Sequence, residues 1–226
     1  MARQTQPQFP VLRTSEPMPP APKQARSIEK RARLLEAGRL LFGEKGYEAA
    51  SIEAITARAG TAAGGFYQFF HSKQQFLVVL MNDFLERLAR LELRPKPAAD
   101  VRTGLREFLA AAFRVDAAYF GVVRAWQEAM LADRELGRLE QQIAAWTQAR
   151  VLGVLERLQA HPYALRARDL PAFARMMDRQ FWSLLARGSR MAPEDFDREV
   201  ALAADVIYHY LFCDAPQKKI GNERVR

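Results

Sequence analysis

Histidine and cysteine are the side chains most often used for nucleophilic, acid–base and metal chemistry, and this chain has few of them. Its three histidines, His71, His161 and His209, are far apart in sequence, and its single cysteine, Cys213, has no neighbouring base or second thiol. The sequence contains neither a phosphate-binding glycine loop nor a zinc-protease helix. We therefore expect a protein that is not an enzyme and that needs no metal or cofactor.

The stretch from Ser51 to Phe70 has residue types suited to a different chemistry, the binding of DNA. Ser51 is a good N-cap for a short helix, and Gly60 ends that helix just before Thr61, a second possible N-cap. A third helix is then predicted from Ala62 to Phe70. Two short helices joined by a glycine turn, and supported by a longer helix that ends near Gly46, form a helix-turn-helix that can enter a major groove.

Charge and composition are compatible with this interpretation. The net charge is +8, and residues 1–80 carry a surplus of five positive charges, although a modest surplus can also serve solubility alone. No apolar run approaches the roughly 18 to 20 residues that cross a membrane, and no signal peptide is evident. A lone cysteine suits a reducing compartment. We therefore expect a cytoplasmic protein without membrane contact.

Several motifs follow one another in the order found in a known family: the segments 42–47, 51–55, 59–60 and 64–73, which read FGEKGY, SIEAI, AG and GGFYQFFHSK. Together they resemble the N-terminal domain of the TetR/AcrR family of transcriptional regulators over about residues 28–80. The resemblance implies a homodimer with one DNA-reading domain per subunit. It also implies a variable helical domain with a small-molecule pocket, and repression that ends when the ligand binds.

The resemblance gives individual residues a role in contacting DNA. Ser51 would cap its helix and also bind a phosphate, Tyr67 and Lys73 would contact phosphates, and Gln68 would pair with adenine. A capping role alone for Ser51 and a solvated Lys73 are the alternatives. The predicted DNA-binding residues are Ser51, Thr61, Ala62, Ala63, Gly64, Gly65, Tyr67, Gln68, His71 and Lys73.

The sequence departs from the family pattern where bases would be read. Ala62, Ala63 and Gly65 stand where members commonly carry polar or basic side chains, and His71 replaces the usual proline. Gly64 and Gly65 each cost a helix about 1 kcal/mol relative to alanine, which suggests that they allow a close approach to DNA. Specificity would then depend partly on DNA shape.

The remaining chain is predicted to be helical at roughly 72–93, 100–115, 117–131, 134–159, 169–187 and 193–213. The fold class is therefore all-α, with about nine helices. We predict a disordered, proline-rich arm over 1–26, a DNA-binding domain over 27–73, a helical ligand-binding and dimerisation domain over 74–213, and a flexible tail over 214–226. The arm would be a passive extension or would enter a minor groove.

Large apolar residues in the helical domain could enclose a small, largely hydrophobic or aromatic effector, although any helical core needs such residues. The predicted ligand-binding residues are Phe113, Tyr119, Phe120, Trp126, Trp146 and Met177. A constitutive DNA-binding dimer without ligand control is the alternative.

The last two long helices have apolar residues on more than one side, which favours a homodimer interface over a thicker monomeric core. The predicted interface residues are Phe173, Phe181, Trp182, Val200, Ile207, Tyr208 and Leu211. Two-fold pairing would suit a palindromic operator in double-stranded DNA.

Overall fold

The computed structural model describes residues 9–91 and 100–212, and the side chains of residues 115 and 116 are not described. Cys213, the predicted tail and the first eight residues of the predicted arm lie outside the described residues. Within the described ranges the chain forms eight α-helices and two short 3-10 turns, with one isolated antiparallel bridge between Ala164 and Phe212. The all-α prediction is confirmed. No described helix is long and apolar enough to cross a membrane.

The helices follow one another along the chain. They are α1 (Ala25–Ala49), α2 (Ile52–Arg58), α3 (Lys73–Ala89), α4 (Val101–Asp116), α5 (Phe120–Met130), α6 (Arg134–Gln159), α7 (Leu170–Gly188) and α8 (Pro193–Leu211), with 3-10 turns at Ala63–Gly65 and Ala117–Tyr119. Carboxylate caps begin several of them: Asp133, for example, accepts from the backbone N–H groups of Glu135 and Leu136.

The predicted helix over 62–70 is wrong. The structure has one 3-10 turn at Ala63–Gly65, followed by further turns up to residue 69. Two adjacent glycines disfavour a regular helix, and aromatic packing holds the segment instead. Phe66 and Phe70 lie 5.3 Å and 4.8 Å from the ring of Phe76 on α3. The described ranges therefore contain eight α-helices rather than about nine.

Gly46 forms a kink near the end of α1, where the sequence predicts that the helix stops. Its φ of 80° lies in the region that favours glycine. The kink lets Tyr47 fold back so that its ring lies 5.9 Å from that of Phe42. Helical hydrogen bonding resumes beyond the kink and continues to Ala49, four residues past the predicted stop.

Residues 9–24 are held against the protein, which the prediction of a disordered arm did not anticipate. Leu12 is buried, and its backbone N–H and C=O both bond to the carboxamide of Asn82 on α3, at 2.8 Å and 2.9 Å. The backbone N–H of Ser15 donates to Glu135 on α6 at 2.5 Å. Proline excludes helix here but does not prevent an extended segment from packing.

The first helix packs most closely against α5. Gly43 and Gly121 meet at the crossing, where a Cβ on Gly121 would lie 2.3 Å from the Cα of Gly43. The guanidinium of Arg124 donates to the carbonyl of Phe42 at 2.8 Å, and the carboxylate of Glu128 accepts from the backbone N–H of Tyr47 at 2.7 Å. This crossing fixes the N-terminal helices to the rest of the chain.

Candidate nucleic-acid interface

Ser51 is the N-cap of α2, as predicted. Its hydroxyl accepts from the backbone N–H of Ala54 at 3.2 Å, and the side chain remains exposed. Hydrogen bonds from its own backbone N–H and from Ser51 lower the pKa of Glu53. The helix ends at Arg58, and Gly60, whose φ is 64°, lies in the turn that follows. These contacts fix the start and end of α2 and leave the Ser51 hydroxyl near solvent.

The recognition segment, residues 61–70, has a buried and an exposed side. Phe66, Phe69 and Phe70 are buried in the core. The side chains of Tyr67 and Gln68 are exposed, and Tyr67 exposes 52% of its surface. Three further predicted contacts, Ala62, Ala63 and Gly64, are also exposed. The structure thus places these five predicted residues on accessible surface.

The two glycines of the segment differ in their surroundings. A Cβ on Gly64 would meet nothing within 4 Å, so the fold does not require glycine there. A Cβ on Gly65 would lie 2.5 Å from the hydroxyl of Thr61 and 2.6 Å from the ammonium of Lys30. Gly65 is buried, and contacts within the protein explain it without DNA. A close approach to DNA therefore remains as a reason for glycine at position 64 but is not needed at position 65.

Lys73 has partners inside the protein. Its ammonium donates to the carbonyls of Tyr47 and Glu48 at 2.9 Å and 3.3 Å, and lies 4.3 Å from the centre of the Tyr47 ring. Burial, followed by the charge of Glu48, raises the pKa of Tyr47 to about 12. These contacts join the start of α3 to the end of α1, so a phosphate is not needed to explain the lysine. His71 is exposed, and its backbone N–H donates to Gln75.

Two basic residues of α1 were missing from the predicted site. The ammonium of Lys30 donates to the Gln68 side-chain oxygen at 3.1 Å. The guanidinium of Arg31 lies 5.4 Å from the centre of the Phe70 ring, and burial lowers its pKa. The sequence shows both on the polar side of an amphipathic helix. Their approach to the recognition segment depends on how α1 crosses it, which no local pattern encodes.

The predicted ligand-binding residues fall into separate groups. Phe113 and Phe120 pack against Phe196, with ring centres 5.7 Å and 4.9 Å apart, and Phe113 also contacts Phe181. All four rings are at least partly buried, and they form an aromatic core between α4, α5, α7 and α8. Phe181 therefore belongs to this core, although it was predicted at the dimer interface.

Trp126 belongs to a group that combines rings with buried polar atoms. Its indole N–H donates to Glu140 on α6 at 2.6 Å, and the indole N–H of Trp182 on α7 donates to Thr147 at 3.4 Å. Asp178 is buried beside Thr147 and Trp182, and burial is the main cause that raises the pKa values of Asp178 and Glu140. This polar core on α5, α6 and α7 was not predicted, because its members are distant in sequence.

Two more predicted residues lie on the helices of the polar core. Met177 is buried on α7, next to Asp178. Trp146 is partly buried on α6, and its ring lies 5.0 Å from the guanidinium of Arg150. Within the described ranges, its buried indole nitrogen has no hydrogen-bond partner. A buried donor of this kind is costly unless something else accepts from it.

Tyr119 immediately precedes α5 and contacts α3. Its hydroxyl donates to the carboxylate of Asp83 on α3, and its ring lies 5.7 Å from that of Phe84. Burial, with the hydrogen bond to Asp83, raises the pKa of Tyr119 to about 12. The phenol therefore remains protonated at neutral pH and serves as a donor.

Most of the predicted dimer-interface residues are covered by the protomer itself. Phe173, Trp182, Val200, Ile207 and Leu211 are all buried. In the protomer these five side chains pack into its own core. Tyr208 is partly buried and stacks on Phe212 with ring centres 5.2 Å apart.

The exposed apolar residues of these helices form a separate surface, the α7–α8 face. Met176, Leu202 and Val206 expose 47%, 62% and 40% of their surface. They line a shallow groove of about 670 Å³. The other groove residues are Ala172, Phe173, Asp205, His209 and Tyr210. Exposed apolar residues in one contiguous groove are typical of a protein-binding surface.

Comparisons with known proteins agree with this geometry. A sequence model described as bacterial regulatory proteins, tetR family, matches residues 34–80. The uncharacterized HTH-type transcriptional regulator YdgC of Bacillus subtilis is 33% identical over 67 residues, which are 30% of this chain and 34% of YdgC. The HTH-type transcriptional repressor DhaR of a Mycobacterium species is 37% identical over 60 residues, which are 26% of this chain and 30% of DhaR.

The similarity of fold extends further along the chain. The structure of a SmeT–triclosan complex superposes with a TM-score of 0.58 at 24% identity, covering 82% of this chain and 93% of that one. The matches to the two curated relatives span about a third of their length. The sequence match over residues 34–80 is to the tetR family of bacterial regulatory proteins, and the helical fold is shared with the SmeT structure.

Proposed function

We propose that this protein is a sequence-specific, DNA-binding transcriptional regulator that acts as a homodimer and leaves its operator when a small molecule binds. The observation that carries the proposal is the recognition segment. Its phenylalanines are buried, while the residues suited to contacting DNA remain exposed. Repression is the simplest outcome, since a bound dimer blocks a promoter, and DhaR is named a repressor.

The surface around the recognition segment carries the kinds of side chain that bind a DNA duplex. Tyr67 offers an exposed phenol, Ser51 an exposed hydroxyl beside a helix start, and Lys30 a cation from α1. Hydroxyl, backbone N–H and basic groups are the usual donors to phosphates. Ala62 and Ala63 offer methyl groups that can touch thymine methyls. These residues combine groups for positioning with groups for reading bases.

The test is selection of duplexes from a random pool at a stated salt concentration, followed by titration of the selected site. We expect one palindromic site, with affinity that falls steeply as salt rises. Tyr67→Phe removes one oxygen and should weaken binding similarly on all sequences. If no sequence is enriched over the starting pool, the proposal is wrong.

Gly64 supplies a sharper test of close approach. Gly64→Ala adds a methyl group to open space, so the protein should fold with unchanged or slightly higher stability. If the backbone lies against DNA, the same methyl group should weaken operator binding roughly tenfold. Gly104→Ala on α4 is the matched control, because a Cβ there also meets nothing within 4 Å. Equal affinities for the two variants would contradict the placement of DNA at Gly64.

We propose that the second subunit covers the α7–α8 face. The exposed side chains of Met176, Leu202 and Val206 gain from burial, and the groove beside them can receive side chains from a second copy. Sedimentation at micromolar concentration should show a dimer. A monomer under those conditions would contradict the assignment.

We propose that the effector binds in the interior between α5, α6 and α7, beside the polar core. The unpartnered indole nitrogen of Trp146 and the buried groups of Glu140 and Asp178 favour a ligand with polar groups on an aromatic or aliphatic body. A SmeT–triclosan complex has the same fold, which supports a small-molecule effector for this chain.

The chain's three tryptophans, Trp126, Trp146 and Trp182, all lie on these helices and provide an internal signal. Candidate phenols and other aromatic compounds should change tryptophan fluorescence and release bound DNA at the same concentrations. DNA binding that no compound in a broad panel alters would favour the constitutive alternative.

A further inference from the structure

The side chains of Lys30 and Gln68 form a contact that links α1 to the recognition segment. The Lys30 ammonium lies 3.1 Å from the Gln68 side-chain oxygen. An ammonium has three donors and no acceptor, so the carboxamide atom facing it must be oxygen rather than nitrogen. The NH₂ group of Gln68 is therefore directed away from Lys30.

Gly65 makes this contact possible. A Cβ at this position would lie 2.6 Å from the ammonium and 2.7 Å from the Cε of Lys30. The lysine side chain occupies the space that any other residue at position 65 would fill. The end of the Lys30 side chain and the Thr61 hydroxyl, 2.5 Å from that Cβ, can both move, so a methyl group there would displace them rather than unfold the segment. The absence of a side chain at Gly65 thus leaves room for the contact between Lys30 and Gln68, which we call the Lys30–Gln68 pair.

We propose that this pair reads a single base pair and selects guanine over adenine there, an inference that rests on the proposed DNA-binding function. Guanine presents two acceptors in the major groove, N7 and O6, whereas adenine presents one acceptor and the N6 donor. A glutamine that is free to turn offers both a donor and an acceptor and suits adenine. With its oxygen held by Lys30, Gln68 offers its donors.

The ammonium strengthens this preference. The Gln68 oxygen keeps a second lone pair, but a positive charge lies beside it and disfavours the approach of the N6 donor of adenine. The same charge favours the acceptors of guanine. The pair therefore presents donors and positive charge together, although glutamine alone predicts adenine.

The experiment selects duplexes from a random pool with the full-length protein and four variants. Gln68→Ala identifies the base pair, because that position should lose its preference. The wild type should prefer guanine there by roughly tenfold over adenine. Lys30→Met removes the lysine and should move the preference toward adenine. Gly65→Ala should do the same by displacing the lysine, and it leaves the net charge unchanged.

Lys23→Met is the control for loss of charge, since Lys23 precedes α1 and lies outside the pair. It should retain guanine at a lower total affinity. Thermal unfolding of each variant checks folding, and Lys30→Met remains informative if Gly65→Ala is unstable. Adenine selected by the wild type, or guanine retained by Lys30→Met, would overturn the inference while leaving the proposed function intact. Absence of any selected site would overturn the proposed function and this inference with it.

Discussion

The crossing of α1 and α5 makes Gly121→Ala a demanding test of the packing. A Cβ on Gly121 would lie 2.3 Å from both the Cα and the backbone nitrogen of Gly43, and 3.0 Å from the carbonyl carbon of Phe42. All three are backbone atoms, so no rotamer change relieves the overlap. The helices would have to separate by about 1 Å to restore an ordinary carbon contact. That separation would also stretch the bond from Arg124 to Phe42.

The size of the effect follows from two opposing contributions. Forcing a methyl group into a packed region costs about 1–3 kcal/mol, and a backbone contact places Gly121→Ala at the upper end. Alanine recovers up to about 1 kcal/mol of helix preference. The net loss of unfolding free energy is about 2 kcal/mol, which for a chain of this size lowers the Tm by about 4–8 °C.

The assay is thermal and urea unfolding, and the same crossing supplies its control. A Cβ on Gly43 would meet its nearest neighbour, the Cα of Gly121, at 3.9 Å, which is an ordinary contact. Gly43→Ala should therefore leave stability unchanged or raise it by up to about 1 kcal/mol. A Gly121→Ala protein that melts at or above the wild-type temperature would refute the reasoning, as would equal losses in the two variants.

Three further outcomes can be measured. Leu202→Glu places a charge on the α7–α8 face and should shift sedimentation from dimer to monomer with little change in helicity; an unchanged dimer would exclude this face. Asp205 is paired with Arg102 and Arg106, and these bonds hold its pKa below the ordinary 3.8. Asp205→Asn should therefore be less stable at neutral pH, and the difference should shrink as acid protonates the wild-type carboxylate; a constant difference would contradict the pairing. Burial raises the pKa of Asp178, so wild-type stability should fall relative to Asp178→Asn as pH rises from about 4 to 7. Parallel pH profiles would contradict that shift.

Local signals were sufficient to predict most helices. The helix over 134–159 was predicted with the bounds that α6 has. In the structure Asp133 caps its start, and the predicted break at His161-Pro162 closely follows its end. The cap at Ser51 was likewise readable from a single residue, and Gly46, which was predicted to end the first helix, kinks it instead. Such features depend on side chains within a few positions of each other, which the sequence displays directly.

Features that depend on tertiary packing were not readable in this way. The recognition segment was predicted as a helix from its position between two others, but Gly64 and Gly65 leave its shape to the packing of three phenylalanines. The spacing of Val200 and Ile207 does not distinguish side chains that face the protomer's core from side chains that face a partner, and the structure buries both within the protomer. The contact of Lys30 with Gln68 joins residues 38 positions apart.

The segment 9–24 has a consequence for protein engineering. Chimeric regulators are built by joining the DNA-binding domain of one protein to the ligand-binding domain of another. The obvious place to begin the transferred DNA-binding domain here is the start of α1. A cut there would leave Asn82 without its two backbone partners and uncover the site that holds Leu12. Glu135 on α6 would lose its bond to Ser15. A unit for transfer to another protein therefore has to begin before α1 and include residues 9–24, which contact both α3 and α6.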